Sequence, residues 1–435
     1  MRRRRFLALG LGGLAAAGAV PGRAWAQTVT RTRLANGFTL LVRENPTAPV
    51  VGLSLNVRLG TRWETRDNAG ISNLLQFMVV RGTEKMDGAQ IVQAADRMGG
   101  SIDAWGDVDA SEISGTALSR HSAEILDLVA DVALTPTLPP ATTEAVRDFI
   151  INQIRNRGDK PYDVAVDTML ARLYGDNAYA WSPLGRRESV ERITRDDMIA
   201  LYRRHFVPSE MFLAVSGRVR ADEVLAQVGK RFGDIPTGPP PPLRPAPIPA
   251  PAATREAVVV PGAQAQILAG GLAPTMTEPD YAAVKVLSTV LGGGMAGRFF
   301  SDLRDKQGLA YTTGVIYPTR VDRAFIQAQL GTAPENVERA EAALGAQLAR
   351  IRREPVAAEE LRVAKAYLLG NLAMDRRTNA RQAWYLASYE AAGVGHEFLD
   401  RYIAAVKAVT AADVQRVAGL YLGTLRTVVV HPPKP

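Results

Sequence analysis

The chain of 435 residues contains no cysteine. That excludes a disulfide framework, a thiolate metal site and a cysteine nucleophile. Histidine is scarce: His121, His205, His396 and His431 are the whole supply, and no two are close in sequence. An all-histidine metal site would use most of them. No G-x-S-x-G elbow is present, so an autonomous hydrolase with serine machinery has little support. The body carries no Lys/Arg run. The formal charge is +8, but five of those charges are Arg2, Arg3, Arg4, Arg5 and Arg23, leaving +3 for the rest. Nucleic-acid binding is therefore not expected. The one apolar stretch near the N-terminus is short and glycine-rich, too weak for a stable membrane span.

What is present is an ordinary globular composition, 47% hydrophobic and 22% charged, with length enough for two domains. Residues 1–26 have a basic start, an apolar middle and an Ala24-Trp25-Ala26 end. This is the pattern of an export signal. Arg3-Arg4 followed by Phe6-Leu7 matches the twin-arginine type. Cleavage after Ala26 and a periplasmic location are expected.

Residues 236–252, PTGPPPPLRPAPIPAPA, cannot form a helix or central strand and read as a stiff, extended linker. They divide the mature chain into 27–235 and 253–435. The halves echo each other. ITRDDMIALYRRHFVPSEMFLAVSG and VTAADVQRVAGLYLGTLRTVVVHP each place a capping Thr before an amphipathic helix, a turn and an apolar strand. SEISGTALSRHSAEILDLVADVAL and AFIQAQLGTAPENVERAEAALGAQLARI each give a strand, a polar turn and a long helix. Two echoes in the same order favour duplication. FTLLVREN and VVGLSLNVRLG are expected to pair, and helices are predicted near 67–81, 88–98, 121–134 and 141–157. The class is α+β, with antiparallel-rich sheets backed by helices on one face.

Four stretches carry a resemblance: GTRWETRDNAGISNLLQFMVVRGTEKM, MGGSIDAWGDVDASEISGTA, DKPYDVAVDTMLARLYGDNAYAWSPLGRRESVERIT and LGGGMAGRFFSDLRDKQGLAYTTG. The chain is similar to the pitrilysin/insulinase-like inverzincin peptidases, which include the mitochondrial processing peptidase. The resemblance covers nearly all of the mature chain. It implies two homologous halves arranged as a clamshell around a peptide chamber.

The family's signature is H-x-x-E-H on a helix. Its positions fall here on Asn73, Gln76 and Phe77, and the third ligand, a glutamate, falls on Gln153. Neutral amides are poor zinc ligands, a phenyl ring has no lone pair, and Gln76 cannot act as a general base. The degenerate positions imply that this chain binds no metal or other cofactor. Zinc is expected in a partner with an intact H-x-x-E-H.

The resemblance also implies a kept element. Arg304 and Tyr311 match the family's arginine–tyrosine pair, which binds substrate backbone and stabilises charge on the scissile carbonyl. Gly292, Gly293 and Gly294 precede it and match a glycine-rich loop that helps handle substrate. No GK[ST] follows, so they are not a phosphate loop. Asp103, Ala104 and Trp105 lie on a strand that, in the family, pairs with extended substrate.

These readings give a non-catalytic, substrate-binding subunit of an exported heteromeric zinc metallopeptidase. The alternative is a non-proteolytic peptide-binding or scaffold protein of the same fold.

Overall fold

The structure, a computed structural model, describes residues 29–243 and 245–433. The expected export signal, residues 1–26, lies outside them. Eleven strands form two sheets. In the first half these are β1 (Val29–Arg33), β2 (Thr39–Glu44), β3 (Val50–Val57), β4 (Ser101–Gly106), β5 (Ser111–Leu118) and β6 (Met211–Gly217). In the second they are β7 (Thr254–Val259), β8 (Ala265–Ala273), β9 (Thr312–Ile316), β10 (Ala324–Thr332) and β11 (Arg426–His431).

The first sheet runs β1-β2-β6-β3-β5-β4 and the second β7-β11-β8-β10-β9. Without β1 the two orders are the same. The directions match as well: β6 is parallel to β2 and antiparallel to β3, as β11 is to β7 and β8. The helices entering β6 and β11 start alike. Thr194 with Asp197, and Thr410 with Asp413, each close a reciprocal capping box. Topology and capping together make the halves repeats of one unit.

The expected pairing of β2 with β3 does not occur, because β6 lies between them. Both strands are buried on both faces. Alternation told where strands run, but the inserted neighbour comes from about 160 residues away, beyond the reach of any local pattern. The helix expected over 67–81 is shorter, Ile71–Val79, because Gly70 sits at φ 97° and breaks it. The other three lie at Gly88–Arg97, Ser122–Leu134 and Pro140–Gly158.

Each sheet is covered by helices of its own half on one face. Leu53, Leu55, Leu213 and Val215 build that core in the first half, and Ile267, Ile326, Leu330 and Val429 in the second. The opposite face is not left open. Helix Asn379–Ala391 of the second half packs on β3 and β6, and helix Pro161–Tyr174 of the first half packs on β8 and β11. Glycines allow the approach: a Cβ at Gly52 would strike the Ala380 backbone, and one at Gly270 would strike Met169 Sδ. The halves are thus fastened by a reciprocal exchange of helices. Residues 236–252 follow an extended path with no regular structure in their described part. Asn177 Nδ2 donates to Ala246 O at 2.7 Å and holds that path against the first half.

Candidate functional site

The helix Ile71–Val79 is anchored from below by Leu74, Leu75 and Met78, all fully buried. Its N-terminus has no side-chain cap from Gly70. Glu64 does that work. Its carboxylate accepts from Gly70 N and Ser72 N, both at 2.9 Å, and from Trp181 Nε1 at 3.4 Å. Burial pushes the Glu64 carboxyl above its ordinary value, while these donors pull it back. Sequence reading missed Glu64. The signal was its place six residues before a glycine that starts a helix.

Asn73 and Gln76 are 7% and 1% exposed. Asn73 Nδ2 and both polar atoms of Gln76 are buried without a hydrogen-bond partner. Phe77 meets Phe149 edge-on, with centroids 5.6 Å apart. Phe149 belongs to helix Pro140–Gly158, which packs on the Asn73 helix and carries Gln153 one turn further on. The positions read as a degenerate ligand set therefore lie on two packed helices. Their chemistry does not fit zinc. Two neutral amides, a third amide and a phenyl ring offer neither imidazole nor carboxylate. Among the described residues no group of three or more His, Asp or Glu gathers to hold a metal.

The four histidines are indeed dispersed in space. His205 is buried, shares a 2.7 Å hydrogen bond with Arg58 O and packs edge-on to Trp63. Burial lowers its pKa to about 4.

The second half presents a different surface. Arg304 lies in a wound, π-helical segment, Phe299–Lys306. Arg298 fixes the start of that segment by a two-point ion pair to Glu360, at 2.6 and 2.9 Å. Leu309 N closes its end on Leu303 O at 2.9 Å. Such windings recur at functional sites. The Arg304 guanidinium stands 4.8 Å over the Phe300 ring, and among the described residues it has no ion pair. Tyr311 opens β9, bonds through its N–H to Gly331 O at 2.9 Å and is 58% exposed.

The glycine run has packing reasons of its own. A Cβ at Gly292 would strike Val315 N, and one at Gly293 would strike Thr289 O. Gly294 adopts φ 66° beside the Tyr367 ring. Met295, next in sequence, is 76% exposed. The run is a tightly seated turn that presents one apolar side chain.

β4 and β9 are edge strands at matching ends of the two sheets, with β1 and β7 at the opposite edges. Each pairs on one side only. β4 presents Asp103 and Trp105 to solvent, with Ala104 half-buried between them. Its last residue abuts the Asn73 helix: a Cβ at Gly106 would come within 3.1 Å of Asn73 Cα. The turns after β4 and β9 meet each other. Arg320 reaches Asp107 at 3.5 Å, Val321 N donates to Asp109 at 3.2 Å, and the Tyr179 hydroxyl donates to Asp109. Arg62 forks onto Asp322 at 2.6 and 2.9 Å. Sequence separations above 200 residues hid this network from sequence reading.

Asn73 thus lies near the junction of the halves, while Tyr311 lies at the far end of β9. β9, Thr312–Ile316, separates Tyr311 from Tyr317 by six residue steps, about 20 Å of extended chain. No hydrogen bond, ion pair or ring contact among the described residues joins Arg304 or Tyr311 to Asn73, Gln76, Phe77 or Gln153.

Comparison with known proteins agrees with this architecture. Residues 39–185 match the model described as insulinase (peptidase family M16), and residues 192–368 match the peptidase M16 inactive domain. The chain belongs to this insulinase-like family. It is 28% identical over 352 residues to an uncharacterised zinc protease of Mycobacterium leprae, covering 79% of this chain and 78% of that one. It is 24% identical over 393 residues to the zinc protease YmxG of Bacillus subtilis, covering 90% and 94%. Among solved structures, the fold matches a peptidase M16 inactive domain from Pseudomonas fluorescens with TM-score 0.86 at 22% identity, covering 94% of this chain and 100% of that one. A protease from Helicobacter pylori matches with TM-score 0.87 at 19% identity, covering 93% and 100%. The chain is an M16-family zinc protease homologue of inactive type. Among the described residues no helix is long and apolar enough to cross a membrane.

Proposed function

We propose that this chain is the non-catalytic, substrate-binding subunit of an exported heteromeric zinc metallopeptidase. A homologous partner with an intact H-x-x-E-H supplies zinc and the general base. This chain supplies Arg304 and Tyr311 to the partner's site, Gly292, Gly293 and Gly294 to support them, and one wall of the peptide chamber. The observation that carries the reading is an asymmetry. The first half's site positions are inert, with Asn73 and Gln76 buried and Phe77 and Gln153 half-buried, while the second half holds an exposed guanidinium with no ion pair among the described residues, close in sequence to an exposed phenol. No hydrogen bond, ion pair or ring contact among the described residues joins the pair to its own chain's Asn73 helix, which favours action in trans. A cation and a phenolic donor suit a carbonyl oxygen that gains negative charge. The free edges of β4 and β9 suit an extended peptide, which adds to a sheet through backbone groups.

The test is to express the chain with an exported H-x-x-E-H homologue of the same organism, purify the pair and assay zinc and peptide cleavage. The pair should hold zinc and cleave peptides, and neither chain alone should match it. Chelator-sensitive cleavage by this chain alone would overturn the reading. The same free edges also fit a second reading, a peptide-binding scaffold. It predicts peptide binding with no gain in cleavage by any partner.

A further inference from the structure

A cavity of about 590 Å³ lies where the first sheet meets the turn that follows helix Asn379–Ala391. It is independent of the Arg304–Tyr311 region and contains none of its residues. Four guanidiniums line it: Arg31 and Arg33 from β1, Arg58 just after β3, and Arg401 from the second half. Its size falls in the range of small-molecule sites.

Among the described residues the side chain of each of these arginines donates a single hydrogen bond to the protein. Arg31 Nε donates to Glu390 at 3.1 Å and Arg33 Nε to Gly37 O at 3.4 Å. Arg58 Nε donates to Ala391 O and Arg401 Nη2 to Val394 O, both at 2.6 Å. A guanidinium carries five N–H donors. Arg31 and Arg58 each use one donor to hold the end of the exchanged helix, Arg401 uses one on the turn after it, and Arg33 uses one on its own hairpin turn.

Glu390, Glu210 and Glu397 pair with Arg31, Arg58 and Arg401, and among the described residues Arg33 has no ion pair, so one positive charge is left in excess. Two carboxylates line the cavity against four guanidiniums. Glu390 is buried and already accepts from Arg31, His396 Nδ1 and His396 N. Glu397 is 3.8 Å from Arg401, and its side chain is 75% exposed. Glu210 sits 3.8 Å from Arg58. The Arg58 guanidinium also stands over the Phe212 ring, 4.7 Å from its centroid, which helps to hold it in place. A planar fork held in place is suited to two-point binding of a phosphate or carboxylate. Ser209, on the same wall, has a buried hydroxyl with no hydrogen-bond partner.

We propose that this cavity binds one compact, multivalent anion, built from phosphoryl groups or clustered carboxylates, and that the bound anion clamps the two halves. The ligand would bridge β1 of the first half to Arg401, in the first turns of helix Phe398–Ala408 of the second. Free anion and peptide cleavage are unrelated in this proposal, so its failure leaves the subunit reading untouched.

The test is calorimetric titration of the full chain with pyrophosphate, inorganic phosphate and citrate, at constant ionic strength in 150 mM sodium chloride, with melting followed in parallel. Saturable binding of one anion per chain and a raised melting temperature are expected. Stronger binding of pyrophosphate or of citrate tells which source of charge the site favours. Arg33→Gln, whose one contact is a long hydrogen bond to its own turn, should keep the fold and weaken binding at least fivefold. Arg33→Gln with Arg401→Gln should weaken it at least 30-fold. Arg187→Gln, on a distant exposed helix, should change nothing. Absence of saturable binding, or equal binding by the double variant, overturns the proposal.

Discussion

Helix Ile71–Val79 and helix Tyr281–Gly292 occupy matching places in the two halves, each against an edge strand of its sheet. The first carries Asn73 and Gln76, buried with polar atoms unpartnered. The second runs into a seated glycine turn and then to Arg304 and Tyr311, both exposed. One repeat has closed over groups that do no acid–base or metal chemistry. The other keeps a cation and a phenol at the surface. Duplication gave both halves the same frame, and the difference lies in which side chains the frame presents.

The two helix seats differ as well. Against β3 and β6, helix Asn379–Ala391 meets a mixed face: Asn379 bonds to Asn45 and Ser216 and Ser388 bonds to Asn56, while Ala383, Leu386 and Ala387 pack with Leu41 and Ala214. Against β8 and β11, helix Pro161–Tyr174 buries Met169, Leu173 and Tyr174 on Leu268, Val428 and Val430. The apolar seat draws chiefly on water exclusion, while the mixed seat adds matched hydrogen bonds that fix register.

The sharpest way to break the first comparison is to remove its exposed member. Arg304→Ala with Tyr311→Phe should lower peptide cleavage by the mixed pair roughly 100-fold or more, the scale of losing transition-state donors. Asn73→Ala should leave it within twofold. Equal losses would erase the distinction between the halves. The next largest effect concerns the helix seats. Gly52→Val and Gly270→Val should each cost about 3 kcal/mol or more, since overpacking there meets backbone or a buried sulfur. Urea unfolding checks both, and a smaller cost at Gly270 is expected because Met169 can shift.

Acidity separates the halves by pH window. His205, in the first half, has a folded pKa of about 4 against an ordinary 6.5. Its unfolded form binds the proton first, so stability falls as pH drops from 6.5 through 4, by about 3 kcal/mol. Lys285, in the second half, donates to Tyr317 O at 2.7 Å and is held near pKa 7 by burial, with Arg320 adding to the shift. By the same sign its stability loss runs from pH 10.5 down to 7 and adds nothing below. Melting curves across pH 4–10 should lose the lower step in His205→Asn and the upper step in Lys285→Met. The smallest effect is at the inert site. Gln76→Leu replaces two unpartnered polar atoms with a shape-matched apolar group and should be neutral or stabilise by about 1 kcal/mol. Marked destabilisation would mean that Gln76 has a partner in solution.

Much of the molecule was legible in its residues. Capping Thr194 and Thr410 announced the repeat, since a helix N-terminus must satisfy its own N–H groups locally. The residue types at Asn73, Gln76, Phe77 and Gln153 argue against zinc already in the sequence, because ligand chemistry belongs to the side chain wherever it is placed. Tertiary structure alone decided what depended on distant chain. It inserted β6 between β2 and β3 and exchanged a helix between the halves. It closed the start of the Asn73 helix with Glu64, and it gathered four arginines around one cavity. Local pattern fixes a period and a cap. Which surface an element meets is set by burial of faces brought together across hundreds of residues.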